Sequence, residues 1–345
     1  MRVNVVVIAV VVALSACGGK PTAKPVNVAG PEPSASASSD PAASNGLASA
    51  GPSASASPSV PAGGCPIFPA DNVWHADVSK LPVHASSAAW VGSIGAAKNA
   101  HPDFGSEFGI PVTSVPKGTA TVKVAFEYSG ESDKGPYPIP ANVKVEGGSN
   151  ADGDRHVILL DSAACKAYEL YAARPAGDGS WKAGSGAIFD LRSNALRTAG
   201  WTSADAAGLS ILGGLVRYDE VAAGRVDHAI RITAPRTRNA YIWPARHAAS
   251  SSSDAALPPM GARFRLKASV DTSRFPAQAR VVAEALKRYG AILADNGSSW
   301  FFTGTEDSRW NNNALNALKT LKGSDFEAVD AGRLMADPNS ARCRT

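Results

Sequence analysis

The chain has 345 residues, 44% of them hydrophobic and 19% charged, with a formal net charge of +4. That charge is too weak and too dispersed to argue for a nucleic-acid partner, and no basic stripe with interleaved aromatics appears. The four cysteines show no CxxC and no Cys/His spacing of a zinc site.

The N-terminus reads as an export signal. Arg2 supplies a positive start, and residues 3–14 are apolar apart from Asn4. This run is too short for a confident membrane span, and small residues precede Cys17. Leu14-Ser15-Ala16-Cys17 resembles the bacterial lipobox. The expectation is a lipoprotein signal peptide over residues 1–16 and acylation of Cys17, which would hold the protein on a lipid membrane. Residues 17–64 are Pro, Ala, Ser and Gly with almost no large apolar side chain. Such a segment cannot bury enough surface to offset its conformational entropy, so a disordered tether is expected. Its four charges, Lys20, Lys24, Glu32 and Asp40, cancel, and without Arg2 they leave about +3 on residues 65–345. Those residues read as a single globular domain. With Cys17 acylated, Cys65, Cys165 and Cys343 remain. At most one disulfide then forms; Cys65–Cys165 is favoured because it staples the first ordered residue to a strand, and Cys65–Cys343 is the alternative.

Residues 86–97 predict a short helix. Residues 119–128 (TATVKVAFEY) alternate apolar and polar side chains, as a strand does. The loop that follows, residues 131–140, has three prolines in five residues and is extended. Residues 156–161 (HVILLD) and 166–172 are strands close enough to pair as a hairpin. Further strands are expected at 188–191, 226–233, 239–243, 262–268 and 291–294. Residues 276–289 and 311–321 carry apolar side chains at helical spacing. Many short strands with Gly/Pro turns predict a mainly β fold, a β-sandwich or jelly-roll-like core with a few peripheral helices.

The segments CPIFPADNVW, ESDKGPYPIP, DRHVILLD, WTSADAAGLSILGGLVRYDEV, DHAIRIT, YIWPARH and RYGAILADNG resemble those of a family of exported bacterial proteins. The resemblance covers nearly all of residues 65 to about 336. That family is functionally uncharacterised, so the resemblance implies one coherent extracytoplasmic domain and no catalytic residues.

Residues 184–233 hold the densest run of polar groups. Together with the Pro-rich loop they offer the acids Glu131, Asp133, Asp190, Asp205 and Glu220. A glycoside hydrolase needs two facing carboxyl groups, one kept protonated by an apolar setting. Tyr137, Trp201, Trp243 and Trp300 would give flat faces for sugar rings, with His228 and Arg231 orienting or binding substrate. The bland reading makes each acid a turn, cap or surface ion pair. Asp205 in TSAD looks like the first turn of a helix capped by Thr202 or Ser203, and Asp219 like a partner of Arg217. His156, His228 and His247 share strand parity with apolar neighbours, so they would converge on a metal if those faces meet; the bland reading has three satisfied core histidines. A lyase would need a base such as His228 or Tyr218 and Arg231 to hold a uronate. The leading expectation is a membrane-anchored extracytoplasmic carbohydrate-active enzyme, a glycoside hydrolase with paired carboxylates. The alternatives are a non-catalytic glycan- or cell-wall-binding lipoprotein, a metal-dependent jelly-roll enzyme and a polysaccharide lyase. No cofactor is firmly implied; a divalent metal enters only with the histidine reading.

Overall fold

The computed structural model describes residues 64–344. Cys17, the expected signal peptide and the expected tether up to residue 63 lie outside the described residues.

The fold is mainly β, with a sandwich-like core. A short helix, α1 (Ser87–Ile94), and three short strands, β1 (His101–Asp103), β2 (Val112–Ser114) and β3 (Val124–Phe126), come first. The expected hairpin follows as β4 (Val157–Asp161) and β5 (Lys166–Tyr171), with Val157 opposite Leu170. Next come β6 (Arg174–Pro175), β7 (Trp181–Ala183) and β8 (Ser185–Asp190), then two short helices, α2 (Ile211–Gly214) and α3 (Tyr218–Ala222). The last part is β9 (Ile230–Ala234), β10 (Arg263–Leu266), α4 (Ala277–Arg288), β11 (Ala291–Asn296), β12 (Phe301–Thr303), α5 (Asn312–Leu315) and β13 (Phe326–Val329).

These strands form three mixed sheets, none of them closed into a barrel. The largest runs β1-β12-β9-β11-β10-β13, the second β2-β4-β5-β8 and the smallest β3-β7-β6. Strand β9 lies inside the six-stranded sheet, parallel to β11 and antiparallel to β12. Four of its five residues are buried, so it reads as a nearly continuous buried run with one charged member, Arg231. Helix α4 puts Ala279, Val282, Ala283 and Leu286 on its buried face. Lys287 and Arg288 in its last turn suit the negative end of the helix dipole. Gly290 turns the chain straight into β11 at φ +65°, and a Cβ there would sit 2.1 Å from the Phe264 carbonyl oxygen.

Some expected elements are shorter than their sequence patterns. Within 119–128 only β3 is a strand, and Val122 makes a single bridge to Tyr137. Residues 239–243 reduce to one bridge, Tyr241 to Met260, next to Pro244, which has no N–H to extend a ladder. The helix expected from TSAD does not form. Residues 203–208 make a turn in which the Asp205 N–H donates to Ser203 Oγ at 2.9 Å, the local side-chain bond that competes with helix.

Cys65 and Cys165 form the disulfide across 100 residues, and Cys343 is a free thiol. Removing such a cross-link frees a long loop in the unfolded chain. Cys65→Ser is expected to lower stability by about 2–5 kcal/mol, read as a lower urea midpoint under non-reducing conditions that vanishes when both proteins are reduced.

Candidate functional site

Burying one cation in the middle of a sheet organises the site. Arg231 is 4% exposed and Asp205 0%. Arg231 Nε and Nη2 donate to the two oxygens of Asp205, each at 2.9 Å. Nη2 also donates to Asp295 Oδ2 at 2.9 Å, and Nη1 to Thr303 Oγ1 at 2.9 Å. Each partner arrives from a different element. Thr303 ends β12, and Asp295 lies on β11 beside a register irregularity after Leu293; such irregularities re-aim side chains. Asp205 comes from the turn docked on β11 by the Ala207 N–H to Ala294 carbonyl bond of 2.8 Å. Burial lowers the guanidinium's proton affinity, but Asp205 and Asp295 outweigh it and hold Arg231 charged.

Asp295 stands differently. Burial raises its carboxyl, Arg231 pulls it back, and the Asp205 charge pushes it up again, to about 6. Its Oδ1 accepts the Asn296 N–H at 2.7 Å. A second ion pair lies behind. His156 Nδ1 meets Glu146 Oε2 at 2.6 Å, and its Nε2 lies 3.2 Å from the Ala204 carbonyl oxygen. Burial works against both charges, yet the pair wins: His156 is raised and Glu146 lowered. Glu169 of β5, fully buried, accepts Ser210 Oγ–H at 2.7 Å and the Ile211 and Leu212 N–H groups at 2.8 and 3.0 Å. It thereby ties the four-stranded sheet to the start of α2.

A cleft of about 490 Å³ opens onto this network, lined by Tyr128, Glu131, Asp154, Tyr171, His247 and Asp295 among others. Glu131 Oε2 accepts the Thr202 N–H at 3.2 Å and lies 3.9 Å from His247 Nε2. His247 Nδ1 is 2.7 Å from the Ala206 carbonyl oxygen. Tyr128 is 49% exposed at the cleft edge. A second cleft, about 650 Å³, is lined by Asp103, Glu146, Phe108 and Lys144. Burial and then the Glu146 charge raise the Asp103 carboxyl.

The structure brings some expected site residues together and scatters others. Glu131, Asp205 and His247 share the first cleft, with Arg231 behind it. Asp205 is closed to solvent and wholly engaged by Arg231, so it cannot meet a substrate. Asp133, Asp190 and Trp201 line a neighbouring space of about 300 Å³. There Arg197 binds Asp133 and lies 5.7 Å over the Trp201 ring. Glu220 and His228 are elsewhere, both buried and paired with each other, with the partly exposed Arg217 also on Glu220. Burial would raise Glu220, but Arg217 and then His228 hold it at about 2. Asp219 pairs with Arg309 rather than Arg217. Tyr137 is fully buried in the smaller apolar cluster with its hydroxyl on the Asp133 carbonyl, 2.7 Å away, so it offers no face to a sugar. Trp300 is fully buried too. Trp243 donates its indole N–H to the Ser340 carbonyl at 2.8 Å.

The three histidines share no strand face because the strands are shorter than the apolar runs. His156 and His228 precede β4 and β9, and His247 follows no strand. Each has its own partners, and among the described residues no three His, Cys, Asp or Glu side chains come together as a metal site. Nor are the groups a lyase needs assembled, since Arg231 is consumed by Asp205 and Asp295.

Sequence reasoning missed Asp295, Asp154, Tyr128, Glu146 and Asp103. For Asp295 a signal existed: Arg231 interrupts the buried run AIRIT, and a buried cation requires a carboxylate close by. AILAD ends in one.

No family model, curated protein or solved structure matches this chain. Among the described residues no helix is long and apolar enough to cross a membrane.

Arg231→Met leaves Asp205 buried without its counter-ion and should cost about 3–5 kcal/mol, measured by chemical denaturation at pH 7. Carboxyl ¹³C NMR should show Asp295 titrating near 6. Asp205→Asn removes the negative neighbour and should lower that midpoint. The raised Asp295 carboxyl favours the folded state most below its ordinary value of 3.8, and this contribution is lost as pH rises through about 6. Asp295→Asn should therefore flatten the stability profile over that window.

Proposed function

We propose that this protein is a lipid-anchored, extracytoplasmic glycoside hydrolase whose reaction takes place in the 490 Å³ cleft. The observation that carries the reading is a pair of carboxyl groups in unlike surroundings on one cleft wall. Asp295 is mostly buried and raised to about 6, which suits a group that gives a proton to a leaving glycosidic oxygen. Glu131 is half-exposed and held by the Thr202 N–H. It supplies the second carboxylate, which activates water or attacks the sugar carbon. Tyr128 and Tyr171 add aromatic surface beside them. The lipobox Leu14-Ser15-Ala16-Cys17 supports a membrane anchor through Cys17, and the Cys65–Cys165 disulfide is compatible with an oxidising compartment outside the cytoplasm.

One observation favours a second reading, a non-catalytic glycan-binding lipoprotein. Both Asp295 oxygens accept N–H bonds, from Arg231 and Asn296, which suits a fixed wall as well as a proton donor.

The purified full-length protein is expected to release reducing ends from at least one member of a broad polysaccharide panel. Asp295→Asn should lower kcat on that substrate by about 10²–10⁴-fold with KM little changed. Retained glycan binding with no product from the unaltered protein would instead establish the binding reading. Labelling with a fatty-acid analogue should mark the full-length protein and be lost in Cys17→Ser.

A further inference from the structure

The first cleft also carries information about which sugar it holds. This inference rests on the glycan reading above. Three carboxylates in its wall reach solvent: Glu131, Asp154 and Asp295. No lysine or arginine lines it. The guanidinium behind it, Arg231, is spent on Asp205 and Asp295, so it adds no net positive charge to the wall. A concave acidic surface backed by a low-dielectric interior concentrates cations and repels anions.

The second observation concerns Tyr128, a large aromatic side chain left half in water at the mouth. Its backbone is fixed on both sides. The Tyr128 N–H donates to the Gly184 carbonyl at 2.9 Å, and the Tyr128 carbonyl accepts the Glu131 N–H at 3.1 Å and the Ser132 hydroxyl at 2.8 Å. The ring therefore stands at a set place three residues before the Glu131 carboxylate. Leaving such a ring exposed costs apolar hydration, and an aromatic face beside acids is the surface on which the C–H face of a sugar packs.

We infer that the cleft binds an amine-bearing glycan, a chain of unacetylated amino sugars, with one ring stacked on Tyr128 and its ammonium groups along the acidic wall that Glu131, Asp154 and Asp295 line. A uronate, sulfated or phosphorylated chain meets only like charge there. An N-acetylated chain keeps the stacking and loses the ion pairing.

Calorimetric titration of the purified full-length protein with β-1,4-linked hexamers of glucosamine and of N-acetylglucosamine, and with an α-1,4-linked hexamer of galacturonate, tests this. The glucosamine hexamer should bind at least about tenfold more tightly than the N-acetylated one, corresponding to about 1.4 kcal/mol. That ratio should shrink in about 1 M salt, where the screening length falls to roughly 3 Å. The galacturonate hexamer should not bind. Tyr128→Ala should weaken binding of both glucosamine-type hexamers about tenfold, and Tyr128→Trp should retain it. Glu131→Gln should reduce the preference for the free amine. Equal binding of the amine and acetylated hexamers, binding of galacturonate, indifference to Tyr128→Ala in a folded variant, or no binding of the glucosamine hexamer would each overturn the inference. Tight amine-selective binding without cleavage would sustain it while removing the hydrolase reading. Cleavage of neutral or uronate chains without amine selectivity would do the reverse.

Discussion

A guanidinium inside a β-sheet is costly unless oxygens stand around it, and Arg231 sets that condition for the middle of this fold. Moving an unpaired ion out of water costs several kcal/mol even after relaxation, more than the roughly 1.5–3 kcal/mol gained by burying one aliphatic side chain. Strand β9 is therefore tolerable at the centre of the sheet only with Asp205, Asp295 and Thr303 in place. Two local departures from regularity bring its partners in: residues 203–208 turn instead of starting a helix, and β11 has a register shift beside Asp295. The cleft is the outer edge of this arrangement, where Asp295, the second carboxylate partner of Arg231, reaches water.

The same chemistry recurs away from the cleft. Arg155 donates to the carbonyls of Gly148, Ser149, Ala151 and Ala173. Arg265 gathers those of Val78, Ser79 and Leu81, and Arg246 those of Arg197 and Pro338. Arg263, buried and lowered to about 9, holds the carbonyls of Tyr289, Val73 and Ala76. A guanidinium carries five donors in a rigid fork. One side chain can thus satisfy several loop carbonyls that no strand reaches. Long irregular connections in this protein are closed in this way, which explains how short strands support so large a structure.

Local patterns in the sequence were legible where one element decides its own fate. The hairpin of β4 and β5, helix α4 and strand β11 follow from periodicity and from proline and glycine placement, and Cys65–Cys165 was the favoured of two pairings left open. The candidate site was legible in part. Glu131 and His247 do line one cleft, and Arg231 and Asp205 do belong to its frame. The rest depends on contacts between residues far apart in the chain. Asp295 fell just past the strand expected at 291–294, and its partner, Arg231, is 64 positions away. Asp205 looked like the acid in a helix's first turn because TSAD has that local chemistry, and the distant guanidinium overrode it. His228 shares parity with Ile230 and Ile232 only if the strand extends that far, and β9 begins two residues later. Tyr137 is aromatic and follows an acidic loop, yet packing against Phe126 and Tyr168 takes it into the core.

The disulfide has a mechanical consequence. Cys65 is the second described residue, and its sulfur is joined to the start of β5, the strand paired on both sides within its sheet. A pull applied at residue 64 therefore bypasses the first hundred residues and is delivered to a hydrogen-bonded interior strand. The N-terminal end cannot be peeled away one residue at a time. A load entering at that end would therefore meet the folded part as a block.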